Sequence, residues 1–216
     1  MAVRKVSNRG KNIIGKFPSI KMGRMIAFES LIERDFLYLI DYAKEVEWFE
    51  EQPLTIKYQY EGETRHYTPD FHLIEKGREV LIECKPEKFV LSVENQRKAI
   101  AARAWCACRG WEYRVVSDRE IRKGARLTNI RLLTRYARIL VSPCIQEFIY
   151  ELLRGGKEMS IAEISAMIFP KDPLFMVGSI LHLAFHHKIC VPLEDVVIST
   201  QTIVRLPLKP RKEEKI

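Results

Sequence analysis

Two acidic residues and a lysine stand at positions where a β-hairpin would bring them together. Asp70 and Glu83 lie in the two apolar runs of residues 67–86, on either side of a polar turn at residues 75–78. If the strands pair outward from the centre of that turn, Asp70 faces Glu83 across the hairpin. Because residues i and i+2 of a strand share a face, Lys85 lies beside Glu83. The sequence therefore predicts a cluster of two carboxylates and one ammonium.

Such a cluster is unfavourable unless a cation binds to it. Two carboxylates about 4 Å apart repel each other by roughly 4 kcal/mol at the effective dielectric constant near a protein surface. Oxygen ligands of this kind suit Mg²⁺, which uses few carboxylates and keeps several waters, and Mn²⁺ can take its place. A metal ion would lower the pKa of a bound water and stabilise charge on a phosphate, while the lysine would orient the nucleophile or offset that charge.

The spacing of these residues forms a short signature. Pro69-Asp70 followed by Glu83-Cys84-Lys85 spells P-D…(D/E)-x-K. This signature resembles that of the Mg²⁺-dependent nucleases with a restriction-endonuclease-like core. On the motif alone, an edge hairpin with an ordinary ion pair between Glu83 and Lys85 remains an alternative.

The composition is typical of a soluble globular protein that binds a polyanion. The chain has 216 residues, of which 47% are hydrophobic and 30% charged, and its net charge is +8. The positive charge favours nucleic acid as a partner, although a generically basic protein would share it. No apolar run approaches the roughly 18 residues needed to span a bilayer, and we expect no membrane association. The five scattered cysteines argue against a disulfide framework, so we expect a protein of the reducing cytoplasm.

Residues 1–24 are predicted to form a basic flexible arm. Lysines and arginines alternate there with Gly, Ser and Asn, and no acidic residue occurs. An arm of this kind binds DNA phosphates without reading the sequence, and a tail without a role is the alternative. The DNA-binding candidates are Arg4, Lys5, Arg9, Lys11, Lys16, Lys21 and Arg24.

The elements around the hairpin are those that a nuclease core needs. A helix is predicted over residues 29–44, and residues 54–60 alternate as a strand that leads into the hairpin and gives a three-stranded meander. A second helix over residues 89–108 precedes a strand at 111–116. Since a helix links the last two strands, we expect them to be parallel. The expected fold class is α/β with a mixed sheet, over residues 25–126.

Residues 127–208 are predicted to form a smaller winged-helix domain, followed by a loose tail at 209–216. An arginine-rich helix, three further helices and a weak hairpin are typical of that module. The last three helices cover residues 144–153, 160–168 and 173–187, and the hairpin strands cover 196–198 and 202–205. The helix at 173–187 is poor in lysine and arginine, so we expect this domain to bind protein rather than to read DNA.

Several stretches together are similar to TnsA, the endonuclease subunit of the heteromeric transposases. They are Glu29-Ser30-x-x-Glu33-Arg34-Asp35-Phe36, Glu51-Gln52-Pro53, Tyr67-x-Pro69-Asp70-Phe71, Glu83-Cys84-Lys85-Pro86 and the stretch from Trp111 to Ile121. The resemblance is strongest over residues 25–122. It implies a Mg²⁺-dependent endonuclease that cleaves the 5′ ends of a transposon during cut-and-paste transposition.

The resemblance also implies partners. A TnsB-type transposase would cut and join the 3′ ends of the transposon, and a TnsC-type AAA+ ATPase would engage the C-terminal domain. The DNA partner would be the transposon end. Two alternatives remain: a stand-alone restriction- or repair-type endonuclease, and a non-catalytic scaffold that links DNA to a regulator.

Residue roles follow from the same resemblance. It makes Asp70 and Glu83 the metal-binding acids, Lys85 the basic partner of the attacking water, and the backbone carbonyl of Cys84 a further metal ligand. Some members of the family carry Gln at the position of Glu83, and the full acid here favours metal binding.

A helical acid completes the set of catalytic candidates. Glu33 lies at the matching distance before Gln52-Pro53, and it is a candidate catalytic residue and metal ligand. Glu29 is the second choice, because residues four apart in a helix share a face.

Overall fold

The computed structural model describes residues 13–168 and 173–208. The chain divides into two compact units after Lys123, and the unit that begins the chain contains the predicted hairpin. Its elements, in chain order, are β1 (Gly15–Pro18), β2 (Met25–Phe28), α1 (Leu31–Tyr42), β3 (Val46–Glu51), β4 (Ile56–Tyr60), β5 (Glu63–Tyr67), β6 (Phe71–Glu75), β7 (Arg78–Lys85), α2 (Glu87–Val90), α3 (Val93–Ala107), β8 (Glu112–Ser117) and α4 (Asp118–Ile121).

A mixed four-stranded sheet forms the centre of the first unit. Its strand order is β3-β6-β7-β8, in which β7 and β8 are parallel and the other pairs antiparallel. Helix α3 makes the crossover between the two parallel strands, as predicted. The α/β class is therefore confirmed, and the sheet fits a restriction-endonuclease-like core.

The β6–β7 hairpin has the predicted register. Glu75 pairs with Arg78, and Phe71 pairs with Ile82. Lys76 and Gly77 both have positive φ, at 51° and 70°. Positive φ at both central residues is the geometry of a type I′ turn, whose twist matches that of the flanking strands. The turn thus fixes which side chains oppose each other at the far end of the hairpin.

The strand beside β6 is β3, which corrects the prediction of a meander that begins at residue 54. A β-bulge between Val46 and Trp48 breaks simple alternation, so that Val46 and Phe49 are both buried. The β4–β5 hairpin instead forms a separate two-stranded sheet. The chain changes direction between β3 and β4 at Gln52, whose φ is 44°, and at Pro53.

Strand β7 is buried on both faces. Val80, Leu81 and Ile82 each have no exposed surface, which is typical of a strand covered on both sides. Leu81 belongs to one apolar cluster with Ile56 of β4 and Ala102 of α3. This cluster holds the β4–β5 hairpin against the same element that carries Glu83.

The predicted flexible arm is wrong for the described residues 13–24. Strands β1 and β2 form an antiparallel hairpin in which Gly15 pairs with Phe28 and Pro18 with Met25. Phe17 and Ile26 are buried in it, at 2% and 0% exposed. The apolar side chains between the basic residues therefore anchor this segment to the first unit.

The described part of the second unit contains four longer helices. Its elements are α5 (Arg126–Tyr136), α6 (Pro143–Leu153), a 3₁₀ turn (Arg154–Gly156), β9 (Met159–Ser160), α7 (Ile161–Ile168), α8 (Pro173–Phe185) and β10 (Ile203–Val204). β9 pairs with β10 in antiparallel fashion. Within the described ranges, no helix is long and apolar enough to cross a membrane.

The predicted hairpin of strands 196–198 and 202–205 is not formed. The second of these stretches pairs with residues 159–160 instead. The fully buried side chain of Asn129 binds the carbonyls of Leu193 and Val196 and accepts from the amide of Ile198. These contacts satisfy backbone groups that a strand would pair, so the segment remains a loop.

Most apolar side chains of α8 that the structure describes lie in the core of the second unit. Met176, Leu181, Leu183 and Phe185 are 0–5% exposed. They are therefore not a protein-binding surface. The apolar sequence of α8, from which protein binding was predicted, is explained by the packing of this helix in the core.

Candidate active site: a carboxylate cluster at the end of the β6–β7 hairpin

The hairpin brings Asp70, Glu83 and Lys85 to one site, as predicted. Asp70 lies one position before β6, and its amide donates to the carbonyl of Ile82 at 3.0 Å. Its Oδ2 accepts from the amide of Cys84 at 2.7 Å. Lys85 Nζ forms an ion pair with Oε1 of Glu83. All three side chains line one cavity of about 560 Å³.

The charges in this cavity are unbalanced. Burial and the nearby charges of Glu83 and Glu33 raise the pKa of Asp70 well above its ordinary value. Burial lowers the pKa of Lys85, but the charges of Glu83 and Asp70 more than offset it, so its pKa lies above the ordinary value. Lys85 is therefore an ammonium at neutral pH. Lys85 acts on the carboxyl groups of Asp70, Glu83 and Glu33, and this excess of acids favours an additional cation.

Two tyrosines complete the surroundings of Glu83. The Tyr67 hydroxyl donates to Oε2 of Glu83 at 2.6 Å, and the Tyr113 hydroxyl lies 3.0 Å from that of Tyr67. Burial, and then the charge of Glu83, raise the pKa of Tyr67 far above its ordinary value, so Tyr67 stays a donor. Sequence analysis missed both roles. The parallel register pairs Glu83 with Val115, and Tyr113 lies on the same face of β8 as Val115. This register could have predicted that Tyr113 lies near Glu83.

Both acidic candidates lie close to the cluster, but only Glu33 is helical. Glu29 precedes the N-cap Ser30 of α1, so the prediction that it shares a helix face with Glu33 is wrong. Glu33 Oε2 accepts from the amide of Glu29 at 2.7 Å, and Oε1 accepts from Ser30 Oγ at 2.8 Å. Ser30 caps α1, because its Oγ also accepts from the amide of Glu33 at 3.2 Å. Burial raises the pKa of Glu33, although these hydrogen bonds offset part of the effect. The charge of Glu33 acts on Asp70, whereas Glu29 lines the cavity itself.

The donor set fits Mg²⁺ or Mn²⁺. Over the described ranges, no three Asp, Glu, His or Cys side chains form a ready metal cage. Mg²⁺ does not need one, because it binds through one or two carboxylates and keeps its waters. Burial raises the pKa of the Cys84 thiol well above its ordinary value, so its sulfur is not a thiolate ligand. Of the atoms of Cys84, only the backbone carbonyl oxygen remains a candidate metal ligand, as predicted.

The DNA-binding candidates separate into three groups. Lys21 Nζ donates to the carbonyls of Ile40, at 2.9 Å, Ala43 and Val46. The ammonium group thus binds the end of α1 and the start of β3. The prediction that Lys21 binds DNA is therefore wrong, and its role is structural.

Arg24 is also bound within the protein. It donates to both carboxylate oxygens of Glu51, at 2.9 and 2.7 Å. Lys16 is exposed on β1 and remains a candidate for DNA binding. Arg4, Lys5, Arg9 and Lys11 lie outside the described residues.

Comparison with known proteins identifies the first unit. Residues 43–118 match the family model described as the TnsA-like endonuclease N terminal, and no curated protein matches the chain. The matched segment contains Asp70, Glu83 and Lys85, together with the whole four-stranded sheet. The resemblance drawn from the sequence is thereby confirmed over residues 43–118, which match a TnsA-like endonuclease domain.

Proposed function

We propose that the chain is the endonuclease subunit of a heteromeric transposase, which hydrolyses DNA at the 5′ ends of a transposon. The observation that carries this proposal is the cluster of Asp70, Glu83 and Lys85 in one cavity of the TnsA-like domain. Repulsion between the two acids destabilises a protein that serves only as a scaffold, whereas a metal-dependent nuclease needs both acids to bind its cation.

Each residue of the cluster has a distinct role in this proposal. Asp70, Glu83 and the carbonyl of Cys84 hold Mg²⁺ or Mn²⁺, and Glu33 is the helical acid that adds negative charge beside Asp70. A bound divalent ion supplies a more acidic water and charge stabilisation at the phosphate. Lys85 works as a cation that orients the nucleophile or offsets phosphate charge, because its raised pKa makes it a poor general base at neutral pH.

The DNA reaches the cluster along a polar wall of the cavity. Besides the acids, this wall contains Thr55, His66, Thr68 and Lys98. The exposed Lys16, with the basic residues before it in the chain, contacts phosphates without reading the sequence.

The second unit is proposed to be a winged-helix domain that engages a TnsC-type AAA+ ATPase, while a TnsB-type transposase cuts the 3′ ends. The order α6, β9, α7, α8, then a bridge between Cys190 and Arg205, then β10 supports the winged-helix topology. Exposed apolar side chains for a protein partner occur on α6 at Phe148 and on α7 at Met167, which are 47% and 58% exposed. Such an assembly would work on DNA in the bacterial cytoplasm.

Strand-specific cleavage tests this function. Labelled transposon-end DNA is incubated with Mg²⁺ and the full chain, with and without the partner transposase and ATPase. Asp70→Asn removes the charge but keeps an acceptor for the amide of Cys84, and Asp195→Asn makes the same change at an exposed position of the second unit. We expect a 5′-end cut only in the full mixture, lost with Asp70→Asn and kept with Asp195→Asn.

Other outcomes select the alternatives. Cutting of arbitrary DNA by this chain alone, sensitive to Asp70→Asn, would identify a stand-alone endonuclease. Absence of cutting in every mixture, with DNA and ATPase binding retained, would identify a scaffold.

A further inference from the structure

Gln52 lies at the same cavity as the acids and has no role in the function proposed above. It follows the last residue of β3, and it lines the cavity together with Asp70 and Glu83. Its main-chain amide donates to the backbone carbonyl of Asp70 at 2.9 Å. The position of Gln52 is therefore tied directly to that of a proposed metal-binding acid.

Two unfavourable features coincide at this residue. Its φ of 44° lies in the left-handed region, which residues other than glycine rarely adopt. Its Oε1 atom is buried and accepts no hydrogen bond from any part of the chain that the structure describes. A buried carbonyl oxygen without a donor destabilises the folded state. Strain and unsatisfied polar atoms of this kind concentrate at functional sites.

We propose that Oε1 of Gln52 binds the hydrated divalent cation, either directly or through one of its coordinated waters. This inference rests on the proposed metal-dependent nuclease function and adds a residue to it. Side-chain amide oxygens are hard, neutral donors that suit such cations. A neutral oxygen also adds a ligand without adding to the repulsion among Asp70, Glu83 and Glu33.

The side-chain oxygen is separable from the structural role of this position. The main-chain amide makes the contact with Asp70, and Pro53 limits the backbone that follows. Replacement of Gln52 by Met keeps the length of the side chain and removes only its amide. The unbound protein should then lose an unsatisfied buried group, while the cation loses a ligand.

The test measures Mn²⁺ binding by the full chain, using electron paramagnetic resonance, together with thermal unfolding in a chelator. We expect Gln52→Met to bind Mn²⁺ about tenfold more weakly than the original protein. Its unfolding temperature in the chelator should be equal or higher. Gln59→Met is the matched control, because Gln59 lies on the exposed face of β4 and bonds to Thr64; its Mn²⁺ affinity should not change.

A second variant keeps the proposal falsifiable if Gln52→Met folds poorly. Gln52→Glu retains an oxygen at the position, so it should bind Mn²⁺ at least as tightly as the original protein. Unchanged affinity in Gln52→Met, or equal weakening in Gln52→Glu and Gln52→Met, would overturn the inference.

Asp70→Asn separates this inference from the function on which it rests. Suppose that the original protein binds Mn²⁺, that Asp70→Asn abolishes this binding, and that Gln52→Met leaves it unchanged. In that case only the proposed role of Gln52 fails. If the original protein binds no Mn²⁺, the metal-dependent function fails as well.

Discussion

The Tyr67 hydroxyl donates a 2.6 Å hydrogen bond to Oε2 of Glu83, and this contact joins two different sheets. Tyr67 ends β5 of the separate hairpin, whereas Glu83 belongs to β7 of the central sheet. Lys85 pairs with the other oxygen of Glu83. Both oxygens of the carboxylate are thus oriented, and the placement of the β4–β5 hairpin is coupled to that of the acid.

Tyr67→Phe removes this hydrogen bond and leaves the ring in the apolar cluster. We expect the free energy of unfolding to fall by about 1–2 kcal/mol, because Glu83 loses a buried donor. Mn²⁺ affinity and the cleavage rate should each fall about tenfold, since hydrogen bonds of this kind hold metal-binding side chains in the correct orientation. Urea unfolding, Mn²⁺ titration and cleavage assays measure these effects.

Tyr58→Phe is the control for that change, because Tyr58 packs against the same cluster from β4. It should leave Mn²⁺ affinity unchanged. Equal Mn²⁺ affinity in Tyr67→Phe and the original protein would show that the contact does not serve the metal site.

Lys85→Met separates cation binding from catalysis. The ammonium of Lys85 pairs with Glu83, so it competes with any metal ion for that carboxylate. We expect the variant to bind Mn²⁺ at least as tightly as the original protein, yet to cleave DNA about a hundredfold more slowly, because a charge aimed at the phosphate or nucleophile is lost. Lys57→Met, at an exposed position of β4, is the matched control. Weaker Mn²⁺ binding in Lys85→Met would contradict this division of roles.

The hairpin and its cluster could be predicted from the sequence because their determinants are local. The turn at residues 76–77 sets the register, and the two-residue period of a strand then places Asp70, Glu83 and Lys85 together. The parallel β7–β8 pair followed from the intervening helix in the same way.

The remaining features depend on contacts between distant segments. The bulge in β3 hides its alternation, and the contact of Asn129 with residues 193–198 replaces a strand with a loop. Tyr67 and Gln52 reach the site from other elements, and the two-residue period of the β6–β7 hairpin does not predict their positions. The prediction that Lys21 binds DNA is wrong because charge composition does not show which ammonium groups are bound within the fold.

Arg24 and Lys16 are predicted to differ, although both were candidates for DNA binding. Arg24 pairs with the largely buried carboxylate of Glu51; their side chains are 45% and 11% exposed. Arg24→Met should lower the free energy of unfolding by about 1–2 kcal/mol, mostly from hydrogen bonds to Glu51, since the exposed charge is screened. Lys16→Met should change it by less than about 0.5 kcal/mol.

DNA binding should show the opposite order. Lys16→Met should reduce by about one the slope of log affinity against log salt concentration, because one phosphate contact is lost. Arg24→Met should leave that slope unchanged. Urea unfolding and DNA titrations at several salt concentrations measure both quantities, and a reduced slope in Arg24→Met alone would reverse the assignment.

His182 is expected to make the second unit sensitive to acid. Burial lowers the pKa of His182, and the nearby His186 ring adds to this effect, whereas contacts with the carbonyls of Tyr136 and Ala137 oppose it. The folded state therefore resists a proton that the unfolded chain accepts near pH 6.5. Stability is full above about pH 6.5 and falls as the pH drops from there towards the lowered pKa of His182.

Hydrogen exchange of the peptides that cover α8 measures this effect, after correction for the intrinsic rates at pH 7.5 and 5.5. We expect protection to fall at the lower pH, by less than the one-proton limit of about 1.4 kcal/mol per pH unit, because the ring is partly exposed. His182→Gln should remove most of this pH dependence, whereas His66→Gln, at an exposed position of the first unit, should retain it. An equal loss of protection in His182→Gln would assign the acid sensitivity to another group.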